Sequence, residues 1–537
     1  MISGITLSPG LGEGNIFVYR DIMNRLDEFY DIDDAHTGQE LERLELALSR
    51  ISKDLRNLAD RVETEIDAEL SGVFHAHLAM VQDASLRIEV EQEIERELVS
   101  AGSAVRTVFR RWERRFQSID AEVSKQKGDD MRDLTRRIVS ALAGVHGHAL
   151  EKMPKGSVLV ANRLLPSDTV FLARNMATAA LLEVGSKGSH ATLFANEIGL
   201  PCVSCIPGLL ETVSENSYAI VDADGAQSII NPTKSQRDTF LEKTEQKMQV
   251  NKKARSLAHK SAITKGGLKI PVLANVGDVE DTRIAIASGA DGIGLYRLEQ
   301  IYLSRQHPPS VAELLKEMQT TLRPAKGLPV YVRLLDIGAD KQLPFIDMPK
   351  ESNPSLGQRG IRFLLQYPDL LATQLDALLQ LSIDFDVHIL VPMVTLSSDM
   401  IAVEEALKGA TFRNKQSSIP KLGAMIETPA AALAAAEISK HTSFLSFGTN
   451  DLTQYSFAAD RENPSVDSYF DDAHEIIFRL IRMVHEDVPN MPLSVCGELA
   501  RRSIATSKLI DCGVTSLSVA PLSIPTVKET VRNSHCA

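Results

Sequence analysis

Short apolar runs recur at regular intervals through the second half of the chain, and stretches with helical spacing of apolar residues lie between them. The runs are Leu268–Ala274, Gly292–Arg297, Pro329–Leu335, Val387–Val394, Leu422–Glu427, Ser443–Phe447, Pro492–Cys496 and Ser516–Val519. Buried strands that alternate with helices are typical of parallel sheets. Eight such repeats predict a closed (β/α)₈ barrel, the TIM barrel, for residues 260–537.

The segment between Asp34 and Leu142 has a different texture, with no proline and little glycine. Its apolar residues recur at three- and four-residue intervals, which predicts amphipathic helices. The first of these helices carries Leu41, Leu44, Leu48, Ile51, Leu55, Leu58 and Val62. Residues 34–142 are therefore predicted to form an all-helical domain.

Short β-like runs flank that helical segment on both sides. They are Gly10–Tyr19 before it and Ser157–Ala161, Ala179–Glu183, Cys202–Ser204 and Ala219–Asp222 after it. Because domain insertions are tolerated at exposed loops, we predict one α/β domain, residues 1–33 and 143–231, with the helical domain inserted. The charged residues 232–259 predict a helical linker.

Composition excludes several classes of protein. A chain of 537 residues needs several domains, and a net charge of −13 argues against general nucleic-acid binding. The N-terminus lacks the pattern of a signal peptide, and no apolar stretch is long enough to span a bilayer. Five cysteines, an odd number, indicate reduced thiols, so we expect a cytoplasmic protein without membrane insertion.

Polar residues stand where the predicted barrel strands end, at the face that carries active sites in such barrels. They are Arg297, Arg333, Asp336, Glu427, Thr449, Asn450, Asp451 and Cys496. Arginines grip phosphate or carboxylate, and two carboxylates can hold a magnesium ion. The pattern favours a site for a small phosphorylated acid, although single pairs of this kind also occur as structural ion pairs.

Four residues leave alternatives open. His190 follows a glycine-rich turn at a predicted helix start in VGSKGSHATLFANEIGLPCV, which suits an anion-handling site or an ordinary surface loop. Cys496 could be an inert buried residue, a nucleophile or a proton donor. Cys202 and Cys205 form a C-x-x-C in an apolar run, which favours packing over redox or zinc chemistry.

Several long motifs occur together and in order: SPGLGEG, GSHATLFANEIGLPCV, GADGIGLYRLE, VRLLDIGADKQLP, NPSLGQRGIRF, GAMIETPAA, SFGTNDLTQYSFAADR and SVCGELA. Through them the chain resembles, over nearly its whole length, Enzyme I of the bacterial sugar phosphotransferase system, the phosphoenolpyruvate-protein phosphotransferases. The resemblance implies a swivelling phosphohistidine domain and a barrel that takes phosphoenolpyruvate and releases pyruvate. It also implies a helical insert that docks the phosphocarrier protein HPr, and a homodimer formed through the barrel.

The resemblance also implies residue roles. His190 would be phosphorylated, and Cys496 would protonate the enolate carbon. Glu427 and Asp451 would bind Mg²⁺. Substrate would be bound by Arg297, Arg333, Arg359, Asn450, Asp451 and Arg461.

Some positions depart from the family pattern. The family has Gly-Gly-Arg-Thr-Ser-His where this chain has Gly-Ser-Lys-Gly-Ser-His at 185–190, and Leu298 and Gln300 replace threonine and phenylalanine. The family also continues past the position of Ala537, which could affect barrel closure or dimerisation. His75 and His77 are expected to be solvated or packing residues near the docking surface.

Two alternative functions are considered. One is a phosphoenolpyruvate synthase or dikinase using ATP, although no P-loop pattern is present. The other is a catalytically weak relative that acts as a regulatory binding protein through the helical insert.

Overall fold

The computed structural model describes residues 2–20, 29–65, 68–118, 122–145, 148–185, 189–215, 217–303, 305–338, 343–349, 351–416, 419–460, 463, 466 and 469–536. Within these ranges it leaves aside the side chains of residues 63–65, 68–70, 117, 118, 122–126, 190, 193 and 197. The chain divides into two compact units, Met1–Glu245 and Gln246–Ala537.

An eight-stranded sheet organises the first unit. In chain order its strands are β1 (Ile2–Ser3), β2 (Ile5–Ser8), β3 (Leu11–Tyr19), β4 (Val158–Ala161), β5 (Ala179–Leu182), β6 (Cys202–Ser204), β7 (Tyr218–Asp222) and β8 (Gln227–Ile230). They lie in the spatial order β1-β8-β7-β3-β4-β5-β6-β2. The centre, β3 to β6, is parallel, and antiparallel strands complete both edges.

Nine helices accompany this sheet in the described part of the chain. The helical insert contains α1 (Thr37–Glu65), α2 (Ala68–Val81), α3 (Ala84–Glu97), α4 (Ala101–Ser118) and α5 (Glu122–Leu142). The α/β portion contains α6 (Pro166–Arg174), α7 (His190–Glu197) and α8 (Leu209–Thr212). Helix α9 (Lys234–Ser256) then crosses the boundary between the two units.

The insert is joined to the α/β portion through buried contacts. The side chain of Arg136 on α5 lies 2.6 Å from the hydroxyl of Tyr19 on β3 and 2.8 Å from a carboxylate oxygen of Asp168 on α6. Phe194 of α7 packs among the insert's apolar residues and lies 5.8 Å from the ring of Phe74. A buried ion pair that also satisfies a hydroxyl fixes the relative placement of two elements, because breaking it leaves an uncompensated charge.

Eight parallel strands close into a barrel in the second unit. They are β9 (Val272–Val276), β10 (Ile293–Arg297), β11 (Pro329–Arg333), β12 (Asp386–Val391), β13 (Lys421–Ile426), β14 (Phe444–Phe447), β15 (Leu493–Val495) and β16 (Ser516–Val519). Strand β16 pairs with β9, which closes the barrel. Strands covered on both faces need apolar residues at consecutive positions, as in the buried run of β13.

Helices surround the barrel and cover its strands. They are α10 (Val279–Ala287), α11 (Glu299–Leu303), α12 (Val311–Leu322), α13 (Ile361–Gln366), α14 (Pro368–Leu381), α15 (Ser397–Asn414), α16 (Pro429–Leu433), α17 (Ala435–Ile438), α18 (Thr449–Phe457), α19 (Glu475–Asp487), α20 (Ser503–Asp511) and α21 (Ile524–Asn533). None of the helices that the structure describes is long and apolar enough to cross a bilayer.

The observed architecture confirms the predicted fold class. Each of the eight predicted barrel runs overlaps an observed strand, and all five β-like runs around the helical insert are strands. Three short strands were not predicted, namely β1 and β2 at the two edges of the sheet and β8 next to β1. None of them carries a clear periodicity. Helix α9 lies within residues 232–259, and the role of this segment as a linker stays a prediction.

Candidate active site

Strand register brings the polar strand ends together at one mouth of the barrel. Arg297 at the end of β10 is paired in register with Arg333 at the end of β11. Across the barrel, β13 and β14 end side by side, with Ile426 opposite Phe447, and β14 and β15 pair Phe447 with Val495. Glu427 and Cys496 directly follow the ends of β13 and β15, and Asn450 lies three residues past the end of β14. Parallel strands therefore bring all three to the same face.

Charged side chains of opposite sign alternate across this mouth. Asp336 accepts contacts from two arginines, Arg333 Nη1 at 3.1 Å and Arg359 Nη2 at 2.9 Å. Arg359 reaches Asp451 with its other terminal nitrogen, Nη1 to Oδ1, at 3.0 Å. These side chains are held as one network, and three of the predicted substrate-binding residues belong to it.

Glu299 extends the network and was not predicted. Its Oε1 accepts from Arg333 Nη2 at 2.8 Å and from the backbone N–H of Asp336 at 3.0 Å. It opens helix α11, two residues after the end of β10. Glu299 would have been found if the residues of the turn after β10 had been considered together with the last strand residue. Tyr455, which contacts Arg359 Nη1 at 3.2 Å, was also missed.

The two buried arginines, Arg333 and Arg359, stay protonated. Burial alone would lower the pKa of Arg333, but the carboxylates of Glu299 and Asp336 raise it above its usual value. The pKa of Arg359 is raised in the same way by Asp336 and Asp451, against the effect of burial. Both guanidinium groups therefore present permanent positive charge to the mouth.

Glu427 carries an unusual protonation state. It is 1% exposed, and its Oε1 accepts the backbone N–H of Met393 at 2.5 Å. Burial, reinforced by the nearby carboxylates of Asp451 and Asp336, raises its pKa to about 8. The arginines only partly offset this effect. Burial and the neighbouring carboxylates therefore outweigh the two arginines at Glu427.

Local backbone structure positions Glu427 and Asp451. Thr428 caps helix α16, its hydroxyl accepting from the N–H of Ala431 at 3.1 Å, so the chain turns at Glu427. Gly448 stands at the start of α18, where a Cβ atom would lie 2.7 Å from Glu427 Oε2. Only glycine leaves the two strand-end turns room to approach.

The thiol of Cys496 is buried and oriented. The hydroxyl of Ser446 donates to its Sγ at 3.5 Å, and the thiol donates to the carbonyl oxygen of Phe447 at 3.5 Å. Burial raises its pKa, with a further contribution from Glu427. A thiol that keeps its proton at neutral pH suits a proton donor better than a nucleophile.

The remaining predicted barrel residues are placed as follows. Arg297 is exposed, and the described residues include no ion-pair partner for it. Asn450 accepts the backbone N–H of Glu498 at 3.0 Å through its Oδ1, which orients its amide. Arg461 lies outside the described residues. Arg297 is thus a guanidinium of the mouth that an incoming anion can engage.

His190 is the first residue of helix α7. Ser189 caps this helix, its hydroxyl accepting from the N–H of Thr192 at 3.3 Å. A Cβ atom at Gly185 would lie 2.7 Å from Ser204 Oγ, so the preceding turn requires glycine. Ser186, Lys187, Gly188 and the side chain of His190 lie outside the described part of the chain.

The other residues singled out in the sequence have structural surroundings. Burial raises the pKa of Cys202 to about 12, and Cys205 is exposed, both as free thiols. His77 is buried, with Nε2 at 3.0 Å from Asp130 Oδ1, whereas His75 is exposed. A fully buried thiol of raised pKa is unreactive, which agrees with a packing role for Cys202.

The chemistry of the donor set at the mouth fits a magnesium ion. Among the described residues, no group of three or more histidine, cysteine and acidic side chains could enclose a metal ion. Glu427 and Asp451 nevertheless present two carboxylates with an excess of negative charge. Mg²⁺ is commonly held by one or two carboxylates together with water and substrate phosphate.

Comparison with known proteins agrees with this geometry. The family model described as PEP-utilising enzyme, PEP-binding domain, matches residues 251–536. The model described as PEP-utilising enzyme, N-terminal, matches residues 3–127. The model described as PEP-utilising enzyme, mobile domain, matches residues 153–225. Barrel, mobile domain and helical insert together define a phosphoenolpyruvate-utilising enzyme.

Individual relatives narrow the class. The phosphoenolpyruvate-protein phosphotransferase of Haemophilus influenzae is 32% identical, with 99% of this chain and 94% of the relative covered. Those of Geobacillus stearothermophilus and Mycoplasma genitalium are 32% and 31% identical, covering 91% and 97% of this chain and 86% and 91% of the relatives. The chain belongs to the phosphoenolpyruvate-protein phosphotransferase family and is a transferase.

Proposed function

We propose that the chain transfers the phosphoryl group of phosphoenolpyruvate to His190, releases pyruvate, and passes the group on to the phosphocarrier protein HPr of the sugar phosphotransferase system. The observation that carries this proposal is the charge arrangement of the barrel mouth. Two buried arginines, one exposed arginine and Glu427, whose pKa is raised, lie at the same mouth as a thiol that keeps its proton.

The substrate would be held by the positive groups of the mouth. Arg297, Arg333 and Arg359 offer guanidinium forks that match phosphate and carboxylate oxygens, and Asn450 offers an oriented amide. Arg461 is assigned the same role from the family resemblance alone. Asp336 and Glu299 keep the buried arginines in place, so they act as positioning residues.

Glu427 and Asp451 would hold Mg²⁺, with Asp451 also facing the substrate. When bound, the ion supplies positive charge that neutralises substrate phosphate and the developing enolate oxygen. The ion would also offset the raised pKa of Glu427, which burial causes first and the nearby carboxylates second, by adding positive charge beside it. Substrate oxygens would complete the coordination, since the protein contributes few ligands.

The chemical step needs one attack and one protonation. An imidazole nitrogen of His190 forms a bond to phosphorus while the bond from phosphorus to the enol oxygen breaks. The electron pair of that bond leaves with the enolate, whose oxygen is stabilised by the arginines. The Cys496 thiol then gives its proton to the methylene carbon, forming pyruvate, and recovers a proton from solvent.

We also propose the partners and location that the resemblance implies. HPr would dock on the helical insert, residues 34–142, and two copies would associate through their barrels. All five cysteines are free, which suits a reducing compartment such as the cytoplasm.

Mass spectrometry tests the proposal directly. The purified chain is incubated with phosphoenolpyruvate and Mg²⁺, with ATP in a parallel sample, and intact mass and peptide maps are recorded. We expect one acid-labile phosphoryl group on the peptide that contains His190, none in His190→Ala, and normal labelling in His75→Ala, a control at an exposed histidine of the insert. Subsequent addition of HPr should discharge the labelled chain.

The other outcomes have definite meanings. Labelling from ATP would favour a synthase or dikinase. A folded chain that binds HPr but takes no phosphoryl group would favour the regulatory relative. Either result would contradict the proposed function.

A further inference from the structure

Helix α4 of the insert carries an unusual concentration of positive charge. It contains five arginines and a single acidic residue, Glu113, in a chain whose net charge is −13. Glu113 is paired with Arg132 of α5. All five cationic residues are arginine rather than lysine, the residue type that binds phosphate groups bidentately.

The five arginines line one open cavity of about 730 Å³. Arg106, Arg110 and Arg114 follow one another at four-residue intervals, and Arg111 and Arg115 are also four residues apart. These intervals place them next to one another on the helix surface. The opposite face is apolar and packs into the insert's core through residues such as Val105 and Val108. The lining comprises Arg106, Arg110, Arg111, Arg114 and Arg115, with Phe29 at one end.

The arginines are only partly neutralised within the structure. Arg111 pairs with Glu93 at 3.1 Å, and the Arg106 guanidinium stacks over the Phe29 ring at 4.4 Å from its centroid. Arg110 and Arg114 are exposed, and among the described residues neither has an ion-pair partner. No described carboxylate lines the cavity. Like charges gathered in this way repel one another unless an anion lies among them.

We propose that this cavity binds an organic polyphosphate of nucleotide size. The volume lies within the range of about 300–1,000 Å³ that small-ligand sites occupy. One phosphate group is too small to contact guanidinium groups spread over more than two helical turns, about 11 Å at 5.4 Å per turn. A ligand with two or three phosphate groups can contact several of these guanidinium groups at once. The site lies on the insert and is independent of the phosphotransfer proposed above.

The single tryptophan of the chain provides a local reporter. Trp112 lies on α4, donates its indole N–H to Glu89 at 3.1 Å, and carries the Arg115 guanidinium 5.0 Å from its ring centroid. A ligand that draws Arg115 toward the cavity changes this cation–π contact and therefore the fluorescence. Tripolyphosphate absorbs no exciting light, so it is the preferred probe.

The test titrates the full chain with tripolyphosphate, ATP, inorganic phosphate, citrate and a poly-glutamate peptide, without Mg²⁺, by tryptophan fluorescence and calorimetry. We expect saturable binding of tripolyphosphate and ATP, at least tenfold tighter than of phosphate or citrate, and weakened by salt. The double variant Arg110→Gln/Arg114→Gln should weaken this binding by about tenfold or more. The charge-matched control Arg56→Gln/Arg96→Gln, two exposed arginines elsewhere on the insert, should not.

Circular dichroism establishes that the variants remain folded. Three results would overturn the proposal: no saturable binding, equal weakening in the control variant, or tighter binding of poly-glutamate than of tripolyphosphate. The last would identify the cavity as part of a docking surface for an acidic protein.

Discussion

Replacing Glu427 by glutamine should stabilise the barrel at neutral and alkaline pH while abolishing its chemistry. The folded chain keeps the Glu427 proton up to about pH 8, whereas an unfolded chain loses it near pH 4.5. Between these values the folded state binds more protons, so stability falls as pH rises through that window. Glutamine cannot ionise and can still accept the backbone N–H of Met393, so the variant lacks this decline.

The magnitude follows from the size of the pKa change. A change from about 4.5 to about 8 corresponds to on the order of 5 kcal/mol above pH 8, and to about 3 kcal/mol at pH 7, at about 1.4 kcal/mol per pH unit. The group is fully buried, so solvent screening does not reduce these values greatly. Mg²⁺ should reverse the effect by stabilising the unmodified chain more than the variant.

Two measurements on the full chain check this prediction. Urea unfolding is followed between pH 5 and pH 8.5 in the presence of EDTA, and hydrogen exchange of the peptide covering β13 localises the effect to the barrel. The unmodified chain should lose stability with rising pH more steeply than Glu427→Gln. The control Glu405→Gln, an exposed carboxylate on α15, should follow the unmodified chain. Parallel pH profiles for the unmodified chain and Glu427→Gln would refute the reasoning.

Three further variants probe the same mouth. Cys496→Ser should slow pyruvate formation by about 100-fold or more while substrate binding is kept, because a general acid is lost; equal rates in a stopped-flow pyruvate assay would exclude the proton-donor role. Arg359→Met should cost about 3–5 kcal/mol in urea unfolding, since Asp336 and Asp451 lose a buried partner; an unchanged midpoint would show that the network contributes little. Gly448→Ala should raise the Mg²⁺ concentration needed for phosphorylation by displacing Glu427; an unchanged Mg²⁺ dependence would place the metal elsewhere.

Periodicity predicted most of the fold because it depends on burial alone. A strand covered on both faces must be apolar throughout, and a helix in a bundle must carry a stripe of apolar residues on its buried side. Both patterns can be read from a short stretch of sequence. Strands β1, β2 and β8 were not predicted because each has only two to four residues and includes exposed positions, unlike the equally short but fully buried β4 and β5. Such strands form where neighbouring strands offer free hydrogen-bonding edges, which a local pattern does not reveal.

The amino-acid sequence by itself determined the eight strands, the helical insert and the residues that end each strand, because these depend on local spacing and on the fixed direction of parallel strands. Only the tertiary structure decided how those residues combine. Arg359 meets Asp336 across 23 positions and Asp451 across 92, and Glu299 joins them from the next turn. The protonation state of Glu427 also depends on the tertiary structure, because its pKa is set by burial and by several charges from separate strands at once.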